Sequence, residues 1–489
     1  MRKPLITAGH EPKLNWINNE WSDSGIYNDS VNPATGDAIG RYANGGLRAA
    51  IDGIAAAKAA FKHSDWKTDR QLRSRVLNEL ASAFEEHAER LIAILSLENG
   101  KLNGEARMEV GGVPSKLRYY AALVLTQSGR ALETSPGSFS MVLEEPVGVA
   151  GIIAPWNSPV ILLIRSLAPA LAAGCTVIIK MPGQTAQVNA AICEVFSSVK
   201  SLPAGVINQF TESGHEGAAH IISSPDVPSI SYTGSTATGK LMMKNGADHL
   251  KRFGFELGGK TPMIVFDDAD LEEAIPVIVR SITLFAGQFC MTGSRILVQR
   301  NIAEQFIEQL TDLLARVKVG PAADPQSDMG PLIDRANADR VDSVVEKAIA
   351  NGAKILLRGG KIKEGLLAKG AFYQLALLLV TDNKMNIVQK ETFGPVATVQ
   401  IFDTAEEAIA LANDNQYGLA ASVWSPHVDL PLRVSRKLDA GTVWINNWAR
   451  IHDEFEEGGF KMSGLGRLNG LAAIHDFIQY KHIHHDAGI

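Results

Sequence analysis

The chain has 489 residues, room for several domains at about 100–200 residues each, and at 46% hydrophobic and 20% charged it has the composition of a globular protein with a large core. Its formal charge of −6 is spread along the sequence, leaving no basic face for nucleic acid or an anionic membrane. Three cysteines cannot build a disulfide framework and lack zinc-ligand spacing, so a reducing cytoplasm and no metal are expected.

The opening MRKPLITAGHEPK has a basic tip but lacks the apolar stretch of about 7–15 residues that a secretory leader needs. Residues 15–42 read as short strands and turns around the Pro33–Gly36 cluster. Helical text follows from Leu47 to Phe61. A second helix is marked by Leu77, Leu80, Phe84, Ala88 and Leu91 on one face and runs out at Asn99-Gly100, a C-cap pair. This region reads as scaffold. Residues 127–146 read as an extended hairpin. From Val147 strands and helices alternate: VGVAGIIA, a helix after Pro159, CTVIIK, a helix near Gln184, GVINQF, SISYT and a helix after Ser235. Such alternation implies a parallel sheet covered on both faces, with ligands at the carboxyl ends of its strands. The most apolar run, 160–180, is broken by Arg165, Pro169 and Gly174, short of the about 18 residues of a membrane span. A second α/β block runs from about Thr261 to Trp448, and FIQYKHIHH closes the chain as a strand. The hairpin and this last strand are candidates for pairing between subunits.

Cys175 and Cys193 sit in apolar text and read as packing residues. Cys290, in GQFCMTG, keeps different company. Glu256 ends a strand just before Gly258-Gly259, where backbone can approach closely, and Asn157 lies between prolines where the sheet opens. A thiol nucleophile, a base for water and an amide donor for an oxyanion are the parts of acyl chemistry on sulfur.

With these residues in place the chain resembles the aldehyde dehydrogenase superfamily. It matches PWN at 155–157, YTGSTATG at 232–239, FELGGK at 255–260, GQFC at 287–290, ETFGPV at 391–396 and GGFKMSGLGR at 458–467, in order and in register. The resemblance implies an α/β fold with a Rossmann-like cofactor domain (1–126 and 147–258), a catalytic domain (259–450) and an oligomerisation arm (127–146 and 468–489). It implies that Cys290 attacks an aldehyde, that Asn157 and the Cys290 N–H hold the oxyanion, and that Glu256 activates water against the thioester. A binding scaffold would have no reason to keep all three, and coenzyme A-acylating relatives usually lack the glutamate. For NAD or NADP the resemblance implies Ile153, Trp156, Lys180, Gly183, Gly234, Ser235, Gly239, Leu257, Glu391 and Phe393, with pyrophosphate at the Ser235 helix N-terminus. For the substrate it implies Ser158, Leu162, Arg165, Phe289 and Met291. A homo-oligomer, dimer or tetramer, is expected, with the small-molecule aldehyde as partner.

The sequence departs from the family at Gly183 and at the pair Ser166 and Leu468. Gly183 stands where NAD-preferring members commonly carry a glutamate, which opens the cofactor choice to NADP. Ser166 and Leu468 replace a lysine and a glutamate that many members use as an alternative proton path, leaving Glu256 as the expected sole carboxylate base. Arg165 lies eight residues after Asn157, on nearly the same face of a continuous helix. In the otherwise apolar VILLIRSLAPAL it needs a partner, either an acid such as Asp453 or Glu454 or the far end of the substrate. Succinic semialdehyde dehydrogenases, and dehydrogenases of hydroxylated aromatic aldehydes, resemble the chain in this arginine. An aldehyde with an anionic or polar far end is therefore expected.

Overall fold

The computed structural model describes residues 11–126 and 129–487. The opening MRKPLITAGHEPK lies largely outside the described residues, as do the first two positions of the 127–146 hairpin and the last two of the 468–489 segment. Among the described residues, no helix is long and apolar enough to cross a membrane.

The first sheet has eight strands, in spatial order Glu20–Ser22, Asn15–Ile17, Ile207–Glu212, Thr176–Pro182, Val149–Ile153, Ser229–Thr233, Arg252–Glu256 and Gly464–Leu465. The five from Ile207–Glu212 to Arg252–Glu256 are parallel. Strands such as VAGII and INQFTE are buried along their whole length, because helices cover both faces. Gly46–His63 and Glu216–Ser223 pack on one face; Arg70–Glu86, Ala88–Asn99, Val113–Thr126, Pro159–Ala173 and Ala186–Ser198 pack on the other. The chain steps outward from Val149–Ile153 to Ile207–Glu212, then crosses back to Ser229–Thr233. That reversal opens a crevice at the carboxyl ends of the central strands, where ligands of such sheets bind.

The second sheet has seven strands, in order Lys354–Leu357, Ala376–Leu379, Val396–Phe402, Arg295–Gln299, Pro262–Val265, Ala420–Trp424 and Thr442–Ile445. All pairings are parallel except that of the first strand. It has its own core, in which the helices Leu271–Thr283, Ala303–Ala315 and Arg335–Ala350 pack.

Three expectations change. The second helix breaks at His87, whose backbone (φ −92°, ψ 3°) leaves the helical range, into Arg70–Glu86 and Ala88–Asn99; Gly100 then caps the latter at φ 81°. Glu216–Ser223 is a helix that the sequence reading passed over. The extended segments do not wait for another subunit: Ile478–Asp486 pairs antiparallel with Ser138–Pro146, which pairs with Arg130–Ser135, all within one chain. Only the outer edges of this three-stranded sheet are left without a strand partner.

Candidate active site

Asn157 leaves the first sheet just past the strand Val149–Ile153. Pro159 starts the next helix, since a proline at the first helical position gives up only an N–H with no intrahelical partner. Asn157 is buried, and its Nδ2 donates to the Gln288 carbonyl at 3.0 Å, two residues before Cys290. A side-chain amide carries two N–H groups, so one remains for a ligand oxygen.

Cys290 follows a tight turn after the helix Leu271–Thr283. Phe285, Ala286 and Gly287 all have left-handed backbone, at φ 53°, 54° and 71°. Non-glycine residues held there cost on the order of 1–3 kcal/mol each, so their surroundings must fix them. Several bonds do. Glu105 accepts the Phe285 N–H at 2.7 Å, Gln288 Oε1 accepts the Ile333 N–H at 2.9 Å, and the Trp448 indole donates to the Met291 carbonyl at 2.8 Å. A Cβ on Gly259 would collide with the Cys290 carbonyl oxygen, which explains the glycine that follows Glu256 in FELGGK. Cys290 is partly exposed, whereas Cys175 and Cys193 are buried.

Glu256 ends its strand in a buried position, and a Cβ on Gly458 would stand 3.0 Å from its Oε1. Burial pushes its carboxyl up to about 8, against the pull of Arg165 and Arg467. Burial also pushes the Cys290 thiol up to about 12; Arg165 draws it down, while Glu391 and Glu256 push it up. Base and thiol therefore sense each other, and Arg165 acts on both. A carboxylate that titrates near 8 suits a general base near neutral pH.

Arg165 is buried and ion-paired with buried Glu457, neither of the acids proposed from sequence. Asp453 instead takes Lys116 at 2.5 Å and the Ser115 hydroxyl at 2.8 Å. The helix starts at Pro159, so Asn157 is not on it and the shared-face argument fails for that pair. Leu162 and Arg165, three residues apart, do share a face of that helix, and with Ser158 just before it they line a cavity of about 730 Å³ together with Phe289 and Lys116. Met291 does not line it: it is 1% exposed in the second sheet's core. Ser166 accepts a hydrogen bond from Ser231 at 2.8 Å, and Leu468 pairs backbone to backbone with Glu457. The buried ion pair thus stands one residue from Ser166 and directly across from Leu468. Glu457 is a second buried carboxylate beside the site, held in its ion pair with Arg165.

Across the crevice, Ser235 caps the helix Thr236–Gly246 by accepting the Thr238 N–H, and Gly239 lets that helix approach the Leu257 side chain, which would stand 2.9 Å from a Cβ there. The Gly234 N–H donates to the Glu256 carbonyl at 2.9 Å. Buried Ile153 and half-buried Trp156 come from the first sheet; Trp156 meets Phe393 of the second edge-on at 5.5 Å. Phe393 is left-handed (φ 51°), with Arg340 donating to the Thr392 and Phe393 carbonyls. Glu391 accepts the Gly259 N–H at 3.2 Å, and a Cβ on Gly258 would lie 2.6 Å from its other oxygen. Burial raises this carboxyl to about 7. A helix N-terminus with free donors on one side and a carboxylate beside an aromatic ring on the other fit a dinucleotide, pyrophosphate to the former and ribose hydroxyls to the latter. Burial lowers the amine of Lys180, near the end of the strand Thr176–Pro182, while Glu212 on the neighbouring strand opposes this. A Cβ at Gly183 would fall on the Tyr42 hydroxyl and Ser213 Oγ, which bond to each other, so a side chain there would have to displace them.

The sequence reading missed Glu457, Lys116 and the Asn99–Glu109 segment, because each acts through a partner tens to hundreds of residues away and has no local signature.

The sequence pattern of the aldehyde dehydrogenase family matches residues 21–483. Betaine aldehyde dehydrogenase of Bacillus subtilis (strain 168) is 34% identical over 473 residues, covering 96% of each chain. The 2-aminomuconic semialdehyde dehydrogenase of Homo sapiens is 37% identical over 470 residues, covering 95% of this chain and 96% of that one. The crystal structure of betaine aldehyde dehydrogenase from Staphylococcus aureus in complex with NAD+ superposes with a TM-score of 0.95 at 34% identity, over 98% of this chain and 96% of that one.

Proposed function

The chain belongs to the aldehyde dehydrogenase family, and on that premise we propose how its own residues oxidise an aldehyde to the carboxylic acid with NAD. The Cys290 thiolate attacks the carbonyl carbon; a C–S bond forms and the carbonyl π pair moves to oxygen. The free Nδ2–H of Asn157 and the Cys290 N–H hold that oxyanion. A bound nicotinamide supplies the hydride acceptor, and a thioester remains on Cys290. Glu256 takes a proton from water, the hydroxide adds, the C–S bond breaks, and the acid departs. The observation that carries this reading is the Asn157 amide on the Gln288 carbonyl, two residues from the thiol. Ser235, Gly234, Gly239, Leu257 and Lys180 would hold the adenosine and pyrophosphate end of the cofactor; Ile153, Trp156, Glu391 and Phe393 would hold the nicotinamide end. The division into a cofactor domain (1–126 and 147–258), a catalytic domain (259–450) and an arm (127–146 and 468–489) is supported by one main sheet in each, although Gly464–Leu465 joins the first sheet from outside its segment. Three free cysteines suit a reducing cytoplasm.

The substrate reading rests on the cavity wall, where Arg165 and Lys116 are buried beside their acids instead of plain apolar side chains. A ligand with a polar or anionic far end recovers hydrogen bonds there that an alkyl chain cannot. Two relatives point the same way, being named for hydroxyisobutyraldehyde and 2-aminomuconic semialdehyde, whereas betaine aldehyde, for which another is named, ends in a cation.

Three outcomes follow. Glu256→Gln should give a burst of one equivalent of reduced cofactor and little further turnover. Because burial raises the Glu256 carboxyl to about 8, its base form is the minor one at pH 7, so wild-type hydrolysis should climb with pH through about 8 and the variant should lose that climb. Stopped-flow absorbance across pH 6.5–9.5 checks both, and normal turnover by the variant would mean another group activates the water. Arg165→Leu combined with Glu457→Leu, which avoids leaving one charge alone, should cost a carboxylate-bearing semialdehyde about ten- to a hundredfold more in kcat/KM than it costs hexanal. An equal loss on both would leave the pair no part in the choice of substrate. Finally, the free edges of Arg130–Ser135 and Ile478–Asp486 favour pairing between copies, so light scattering at micromolar concentration should find at least a dimer; a fully active monomer would contradict this.

A further inference from the structure

The stretch from Asn99 to Glu109 looks like scaffold in the sequence, yet it grips both sides of Asn157. Gly100, at φ 81°, turns the chain at the end of the helix Ala88–Asn99, and the Asn99 amide donates to the Trp156 carbonyl at 2.7 Å. Two residues on, the Lys101 ammonium donates to Ser158 Oγ at 2.8 Å, lies 3.6 Å from the centre of the Phe285 ring, and pairs with Glu109. Both side chains of that pair are 1% exposed. The other Glu109 oxygen accepts the Val160 N–H at 2.9 Å, in the first turn of the helix that Asn157 precedes. One helical turn earlier, Glu105 accepts the Phe285 N–H, at the left-handed turn leading to Cys290. One short helix, Asn103–Gly111, therefore touches the loop of the amide donor and the loop of the nucleophile.

Burying a lysine and a glutamate together is expensive unless every donor and acceptor is used, and apolar side chains of like volume would hold two helices together at least as well. What the pair adds is direction. Its hydrogen bonds end on Ser158 and Val160, which fix where the backbone at 157 points. We propose that Lys101, paired with Glu109, is a positioning residue that sets the Asn157 amide against the Cys290 loop. The inference rests on the reading of Asn157 as the oxyanion donor.

A double-mutant cycle tests it, with the burst rate of nicotinamide reduction as readout, at saturating NAD and an aldehyde the wild type turns over. Lys101→Met should slow the burst about ten- to a hundredfold, the size of effect that follows from misplacing a catalytic group, with the KM for NAD within about twofold of wild type. In an Asn157→Ala background the same change should cost no more than about twofold, because the group it positions is gone. Equal slowing in both backgrounds, or a wild-type burst in Lys101→Met, would overturn the positioning role. Should Lys101→Met not fold, Ser158→Ala, which cuts the link from the ammonium to the loop and takes one hydroxyl from the cavity wall, goes through the same cycle and must show the same dependence on Asn157. If Asn157→Ala itself reduced cofactor at the wild-type rate, the oxyanion reading would fail, a result separate from either outcome for Lys101.

Discussion

Where the chemistry is placed, the Asn157 amide reaches from the loop of the first sheet to the Gln288 carbonyl in the loop of the second. Each sheet is rigid on its own, with a separate core, so the geometry of any reaction between them depends on how their facing loops are fixed. Several otherwise odd features serve that purpose. The left-handed run Phe285–Gly287 bends the nucleophile loop toward Asn157. The missing side chain at Gly259 admits the Cys290 carbonyl, and the one missing at Gly287 admits the Gly394 backbone of the second sheet. The strain in the turn is held by Glu105 and Gln288, groups that touch no reacting atom.

Burial sets the electrostatics of the same place. Desolvation makes both Cys290 and Glu256 reluctant to ionise, and Arg165 is the cation that opposes this at both. An unpaired guanidinium at that depth would be costly, and Glu457 meets the cost. The ion pair consequently has two faces, one toward the thiol and base and one toward the cavity, which links choice of substrate to the tuning of the site.

The parallel sheet, its alternating helices and Cys290, Glu256 and Asn157 were legible in the sequence because each is written locally: apolar strand text, a glycine pair where backbones must approach, a proline opening a helix. The family resemblance then supplied their roles. What was not legible depends on distance along the chain. Glu457 meets Arg165 across nearly three hundred residues, and EFEEGG reads as a solvated acidic run. Lys101 and Glu109 look like ordinary surface charges of a helical region until the fold presses them against Ser158 and Val160. The break at His87 keeps the helical spacing of the apolar residues, so periodicity alone continued the helix through it. The arm strands read correctly as strands, but strand text does not say whether a partner belongs to the same chain.

The central claim is that substrate carbon becomes bound to Cys290 sulfur and leaves only when Glu256 supplies a base. Mass spectrometry of Glu256→Gln, mixed with NAD and an aldehyde it accepts and then quenched in acid, tests this directly. The account predicts one acyl group per chain, heavier than the free thiol by the acyl mass, on the peptide holding Cys290. Cofactor reduced in stoichiometric amount with an unmodified Cys290 peptide, or with the acyl group on Cys175 or Cys193, would contradict it.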